Sequence, residues 1–273
     1  MWDGQYAFEK SKIIQGDCLE KMKLIPDGSI DMILADLPYG TTACKWDTII
    51  PFEPLWEQYE RIIKDNGAIV LTASQPFTSA LIMSNPKMFK YEWIWEKSKA
   101  SNYLHCKYQP MKAHENILIF SKYPAAQNSA NKNMVYLPQY TFCEPYDRGI
   151  CSNVNNVVEG GRKTKVSVSS KDGRRYPRSV QYFRTAEFED MKVSAQKPVA
   201  LFEYLIKTYT NEGDTVLDNV AGSGTTGEAC INLNRGFILI EKEPNYYEVI
   251  KERVGKIFKN YGLDIQPLLD ERM

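Results

Sequence analysis

"LDNVAGSGTTG", Leu217 to Gly227, is the stretch on which the fold turns. Its glycines Gly222, Gly224 and Gly227 fit G-x-G-x-x-G between an apolar run that reads as a strand, Thr215 to Leu217, and a helical pattern from Thr225 to Asn234. A second strand pattern, Phe237 to Ile240, ends at Glu241. Glycines let such a turn approach a ligand closely, and an acid closing the next strand can bind ribose hydroxyls, whether of NAD or of S-adenosylmethionine. No Gly-Lys-Ser/Thr follows, which argues against a phosphate-binding loop.

Position in the chain says more than the pattern. Only 46 residues follow Gly227 (273 − 227), enough for one strand and one long helix opened by Pro244. The other strands of a nucleotide-binding sheet must come from the N-terminal part. There, short apolar runs at Ile13–Gln15, Asp31–Ala35, Ala68–Thr72, Tyr91–Trp95 and Asn116–Phe120 alternate with helical patterns at Glu53–Lys64 and Phe77–Ser84. This alternation predicts an α/β fold with a mostly parallel seven-stranded sheet in permuted order. In such a sheet the strand before Gly222 and the strand before Asp36 can adjoin. Ligands of open α/β sheets bind at the carboxyl ends of strands. "DMILADLPYG", Asp31 to Gly40, where a buried strand gives way to acid, proline, tyrosine and glycine, is therefore expected to face whatever the glycine turn holds.

With 273 residues, 43% of them hydrophobic, the chain can build one large domain or a domain with an insert. No apolar run approaches the ~20 residues of a membrane span, and "MWDGQYAFEK" lacks the apolar core of a signal peptide. Six cysteines without a CxxC pair suit a reducing cytoplasm. His105 and His114 have no metal-ligand spacing, so no metal is expected. From Lys122 to Ser194 no period is sustained, which divides the chain into residues 1–121, 122–194 and 195–273. Acids and bases balance at 34 each, so attraction to a polyanion has to be local. Arg162, Lys163, Lys165, Lys171, Arg174, Arg175, Arg178 and Arg184 face a lone acid, Asp172; taken alone, this run reads as a solvated loop.

Together these residues resemble the β-group DNA amino-methyltransferases. "DLPY", Asp36 to Tyr39, is similar to that family's Asp-Pro-Pro-Tyr, and "DNVAGSGTT" to its cofactor motif. "QKPVALFEYLIKTYT" resembles the helix before that motif, and "GFILIEKEPNYYEVIKERV" the ribose-binding strand and following helix. "IIQGDCLEKMKLIPDGSIDMIL" resembles the N-terminal block, and "PMKAHENILIF" the last motif before target recognition. Leu37 replaces the family's first proline, and Val220 stands where phenylalanine is usual. The resemblance implies a Rossmann-like S-adenosylmethionine-dependent methyltransferase with an inserted target-recognition region. It places Asp17, Lys197, Asp218, Val220, Gly222, Ser223, Gly224, Thr225 and Glu241 around the cofactor, with Glu241 on the ribose and Asp17 near the adenine. Three readings stay open: Asp17 as a helix cap, Asp218 as a brace of the turn, and Lys197 as an exposed helix-start residue.

The chemistry implied is methylation of an exocyclic amine. Its lone pair is delocalised into the ring, so acceptors must draw on its hydrogens; the pattern supplies the Asp36 carboxylate and the Leu37 carbonyl. Pro38 stiffens the turn, and Tyr39 offers a face for an extruded base. The alternative for this pair is that Asp36 caps the next segment and Tyr39 packs in the core. Methylation at cytosine C5 is excluded, because no proline is followed by the nucleophilic cysteine of that family. The expected activity is N6-adenine methylation of double-stranded DNA, with the basic residues of 122–194 on phosphates. N4-cytosine methylation is the nearest rival, followed by RNA or protein-glutamine methylation, a catalytically silent DNA-binding module and an NAD dehydrogenase. The resemblance also implies dimerisation, with no interface legible in the sequence.

Overall fold

The structure is a computed structural model that describes residues 8–42, 44, 47–126, 130, 132–152, 165–186 and 196–269. It contains two compact units, residues 1–137 with 179–273, and residues 138–178.

In the larger unit eight strands form one sheet. They are β1 (Lys12–Gln15), β2 (Ile30–Ala35), β3 (Ile63–Ala73), β4 (Phe89–Ser101), β5 (Lys112–Phe120), β10 (Val180–Phe183), β11 (Thr215–Asp218) and β12 (Gly236–Glu241). Their spatial order is β1-β12-β11-β2-β3-β5-β4-β10. Every neighbouring pair is parallel except the two made by β5. All seven expected strands are present. The eighth, β10, comes from a stretch assigned on sequence to the insert, and its pattern of exposed and half-buried residues left no apolar signature.

The strand runs are apolar without interruption because both faces of the sheet are covered. Alternate residues point to opposite sides. Met32, Leu34, Val70, Val216 and Leu239 pack with the helices Val199–Tyr209, Thr225–Asn232 and Pro244–Asn260. Ile33, Ala35, Leu71, Leu217 and Ile240 pack with the helices Cys18–Met22, Phe52–Ile62 and Phe77–Ser84. The N-terminal half thus supplies the helical layer on one face and the C-terminal half the layer on the other.

The permuted order is realised at the β11/β2 seam, where Val216 pairs with Met32 and Leu217 with Ile33. Asp31 ties the seam, accepting the Thr215 N–H at 3.0 Å and pairing with Lys64. Asp36 and Asp218 therefore leave neighbouring strands at the same edge.

The smaller unit, Pro138–Arg178, holds two antiparallel pairs. One joins β6 (Thr141–Phe142) to β9 (Arg174–Arg175), the other β7 (Tyr146–Ser152) to β8 (Lys165–Ser170). It is narrower than the aperiodic stretch 122–194, because the flanks of that stretch belong to the larger unit. Met134 is buried in the larger unit's core, the Val135 N–H bonds the Asn66 carbonyl at 2.9 Å, and β10 extends the sheet. A loss of periodicity marks the end of regular elements, not the edge of a compact body. Among the described residues no helix is long and apolar enough to cross a membrane, and no cluster of three or more His, Cys, Asp or Glu is arranged to hold a metal ion.

Candidate active site

A cavity of about 380 Å³ opens at the carboxyl ends of β1, β12, β11 and β2. Asp36 lines it together with Gly222 and Ser223. The two turns, 186 residues apart in sequence (222 − 36), thus share one site.

The glycine turn is built by conformation and by clamping. Gly222 and Gly224 have φ of +53° and +77°, left-handed values that disfavour a side chain. A Cβ on Gly224 would also lie 3.3 Å from the Ile250 side chain. Gly224 itself does not line the cavity; it starts the helix Thr225–Asn232 and lets it pack closely. From the last helix Arg253 reaches back to the Ser223 carbonyl at 3.2 Å and Thr225 Oγ1 at 3.2 Å, and pairs with Glu228 at 2.5 Å. Nothing in the sequence marks Arg253 as a site residue, since an Arg in an amphipathic helix carries no signal of its own.

The acids around the turn are held by backbone donors. Glu241, at the end of β12, accepts the Gly222 N–H and the Glu243 N–H, each at 2.8 Å, and burial pushes its carboxyl upward. Asp218 accepts the Val220 N–H at 3.2 Å and the Thr226 hydroxyl. It is fully buried, and desolvation, aided by the nearby Asp36 and Glu241 carboxylates and opposed by those two hydrogen bonds, pushes it up to about 7. Asp218 both braces the turn and lines the cavity, so its two readings are not exclusive. The same holds for Asp17, which caps the helix Cys18–Met22 by accepting the Leu19 N–H at 3.0 Å and also faces the cavity. Val220 and Thr225 line it as well.

At the other turn, Asp36 is held by three donors. Tyr39 donates its hydroxyl to Oδ1 at 2.7 Å, Thr72 donates to the same oxygen, and Lys197 Nζ contacts Oδ2. Pro38 lines the cavity beside it, while the Leu37 side chain is buried in the core. Tyr39 is half-buried, stacked on Phe77 with ring centroids 5.2 Å apart. Burial, and then the carboxylates of Asp36 and Glu115, push its phenol well above the usual range. Asp47 shapes the exit of this turn by accepting the backbone N–H groups of Gly40, Thr41 and Thr42 at 2.7–2.9 Å.

Lys197 is not the exposed residue that a helix start allows, for its side chain is only 8% exposed. Besides Asp36 it meets Glu115 Oε2 at 3.5 Å, and Glu115 in turn pairs with Lys97. Burial works against the ammonium, but the two carboxylates more than offset it and hold its pKa above the ordinary value. Lys97, Glu115, Lys197 and Asp36 thus form a chain of alternating charge. Nothing in the sequence singles out Thr72; for Glu115 the stretch "PMKAHENILIF" carries a signal, a lone acid just before a buried strand run.

In the smaller unit Lys171, Arg174 and Arg178 are exposed. Arg174 pairs with Asp172 at 3.0 Å. Arg175 is half-buried and works internally, donating to the Glu144 carbonyl at 2.6 Å with its guanidinium 4.4 Å from the centre of the Tyr146 ring. Arg162 and Lys163 lie outside the described residues, and of Lys165 only its place at the start of β8 is described.

A mostly parallel sheet, helices on both faces and a ligand cavity at the seam of a permuted order define a Rossmann-like methyltransferase fold. The crystal structure of the M1.HpyAVI–SAM complex shares it, with a TM-score of 0.57, 24% identity and coverage of 89% of this chain and 98% of that one. The DNA methylase family model matches residues 30–252. Type II methyltransferase M.HpaI of Haemophilus parainfluenzae is 28% identical over 276 residues, covering 96% of this chain and 78% of the relative. DNA adenine methyltransferase YhdJ of Escherichia coli (strain K12) is 30% identical over 257 residues, covering 90% and 83%. The chain belongs to the DNA methylase family of N6/N4 type.

Proposed function

We propose that the chain transfers a methyl group from S-adenosylmethionine to the N6 amino group of adenine in double-stranded DNA. The observation that carries the reading is the shared cavity, which sets the Asp36 carboxylate beside the glycine turn. Its volume suits a small-molecule cofactor, for which sites of roughly 300 Å³ upward are usual. The Asn219 side chain is buried at the cavity wall, its Oδ1 accepting the Tyr59 hydroxyl at 2.6 Å and its amide set against the Cys18 thiol.

In this reading Glu241 would hold the ribose hydroxyls on the lone pairs left by its two backbone donors, and Asp17 would hold the adenine end. When bound, S-adenosylmethionine supplies an electrophilic methyl on a sulfonium. Asp36 acts as an acceptor for the target amine. An ionised carboxylate offers about four lone-pair directions; Tyr39, Thr72 and Lys197 take three and leave one for an incoming N–H. The Leu37 carbonyl is the second acceptor, its turn anchored by the buried Leu37 side chain. Drawing on both amine hydrogens localises the nitrogen lone pair toward the methyl. Lys197 serves here as a positioning residue, because its ammonium lies on Asp36. Tyr39 gains a second task through its hydroxyl, beyond offering a ring face to an extruded base. Lys171, Arg174 and Arg178 of the smaller unit contribute phosphate contacts, and the stretch 122–194 acts as the target-recognition region.

The test is nucleoside mass spectrometry of unmethylated DNA incubated with the protein and labelled S-adenosylmethionine. The expected product is N6-methyladenine. Label on cytosine alone would overturn the adenine assignment in favour of N4-cytosine, and label on RNA or protein alone would overturn the DNA assignment.

A further inference from the structure

The β4–β5 ribbon runs past the end of the sheet. β5 pairs with β3 only from Asn116 onward, whereas its pairing with β4 continues to Lys112 opposite Ser101. Because β4 runs parallel to β2 and β3, this overhang points from the carboxyl edge, the edge that bears Asp36. Every residue from Ser101 to Met111 is exposed. Among them Tyr103, Leu104 and Tyr108 are 68%, 75% and 86% exposed. Asn102, with φ of +70°, and a 3-10 turn over Tyr103–His105 shape the tip.

Large apolar side chains this exposed cost solubility without contributing to the core, so a tip that presents three of them invites a partner. The charge around them says which. Between Glu96 and Glu115 there are four lysines, Lys97, Lys99, Lys107 and Lys112, and no acid. Lys97 is committed to Glu115, while Lys107 is exposed beside Tyr108. Aromatic and aliphatic side chains interleaved with cations match stacked bases between phosphates. The distance also suits this partner. Glu115 touches Lys197, which touches Asp36. The tip begins three residues beyond Glu115, about 10 Å at the rise of a strand, within the width of a duplex whose target base reaches Asp36.

We propose that the Asn102–Met111 loop is a DNA contact separate from the smaller unit, whose Tyr103, Leu104 and Tyr108 wedge into the duplex beside the target base and hold open the space it vacates. Lys107 takes a neighbouring phosphate. The inference rests on the reading of the site as a DNA methyltransferase. A wedge stabilises the unpaired state by filling the space opposite the orphaned partner base, so most of its value is lost when the target has no partner to leave.

The test uses the full chain carrying Tyr103→Ala, Leu104→Ser and Tyr108→Ala together, on a duplex containing the methylated sequence. Two substrates are compared: the paired duplex, and the same duplex with an abasic position opposite the target. On the paired duplex transfer falls about 30- to 100-fold, in keeping with the few kcal/mol that unpairing and unstacking a base cost together. On the abasic duplex it stays within threefold of the unaltered chain, and S-adenosylhomocysteine binding by calorimetry is unchanged. Equal loss on both duplexes, or no loss on either, would overturn the wedge. Binding of the unaltered chain to anionic phospholipid vesicles that is abolished by the same substitutions would assign the loop to a lipid surface instead. If the unaltered chain methylates no DNA at all while still binding S-adenosylhomocysteine, the DNA reading itself fails, and this inference with it.

Discussion

Asp218→Asn tests whether the carboxyl under the glycine turn is held protonated by the fold. Its pKa rises from 3.8 to about 7, chiefly through desolvation. Between those values the unfolded chain has released a proton that the folded chain keeps, so folding stability falls as pH rises from 3.8 to about 7 and is insensitive to this group outside that window. Each tenfold difference in proton affinity is worth about 1.4 kcal/mol, so the whole window amounts to about 4 kcal/mol, of which roughly 2 to 3 kcal/mol falls between pH 5 and pH 8. Asparagine keeps the shape and can still accept the Val220 N–H, while the Thr226 hydroxyl turns to accept from its amide. The assay is urea unfolding of both proteins at pH 5 and pH 8, followed by tryptophan fluorescence. All five tryptophans lie outside residues 138–178, so the signal reports the larger unit. Other groups titrate in both proteins and cancel in the comparison. The stability advantage of the unaltered chain over the Asp218→Asn variant is expected to shrink by about 2 to 3 kcal/mol between the two pH values. An advantage that changes by less than about 0.5 kcal/mol would show that Asp218 ionises in the folded protein near its ordinary value, and would refute the reasoning.

Lys197→Met removes the cation from a pair whose Asp36 side chain keeps 29% exposure, so the loss is about 2 to 3 kcal/mol, at or just below the range for fully buried pairs. Methyl transfer is expected to fall by roughly 100-fold with S-adenosylhomocysteine affinity held within about threefold; an equal loss of affinity in calorimetry would place the ammonium on the cofactor carboxylate instead. Gly224→Ala forces a side chain into φ of +77° against Ile250 and is expected to cost about 1 to 2 kcal/mol in urea unfolding; an unchanged midpoint would mean that the turn relaxes freely. Lys171→Ala with Arg174→Ala is expected to weaken DNA binding and lower its salt slope by about 1 to 2, which titration at several salt concentrations measures. An unaltered slope would remove these two residues from the phosphate contacts.

The parts of the fold legible in the sequence are those whose physics is local. Runs such as Met32–Ala35 and Val216–Leu217 are apolar at every position because helices cover both faces, and that signature does not depend on where in the chain the strand occurs. The β11/β2 seam was legible in the order of the motifs: five strand patterns lie ahead of the strand that enters the glycine turn, and Asp36 closes one of them. β10 and the outer parts of β4 and β5 were invisible for the converse reason. Residues 97–101 and 112–115 reach beyond β3 and none of them belongs to the apolar core, so the run carries no apolar signature. The ribbon therefore reads as loop in the sequence while its backbone is paired.

The site divides along the same line. Asp36, Asp218 and Glu241 announce themselves as acids at the ends of buried strands, where a carboxylate is costly unless something receives it. What receives Asp36 is not local. Tyr39 comes from its own turn, but Thr72 comes from the end of β3, and Lys197 from 161 residues further along the chain. Glu115, from β5, holds that lysine from its other side. None of these partners has a spacing rule relative to Asp36, because the sheet order that joins them is set by packing. Together they restrict what the carboxylate can do. With three donors in place it has one direction left for an acceptor's role, and that direction is useful only toward the cavity it shares with Gly222 and Ser223. Under the proposed function a fourth donor in that direction would leave no acceptor for the target amine, and loss of any of the three would let the carboxylate rotate. On that reading the donor set is what turns a buried strand-end acid into a site for one incoming N–H.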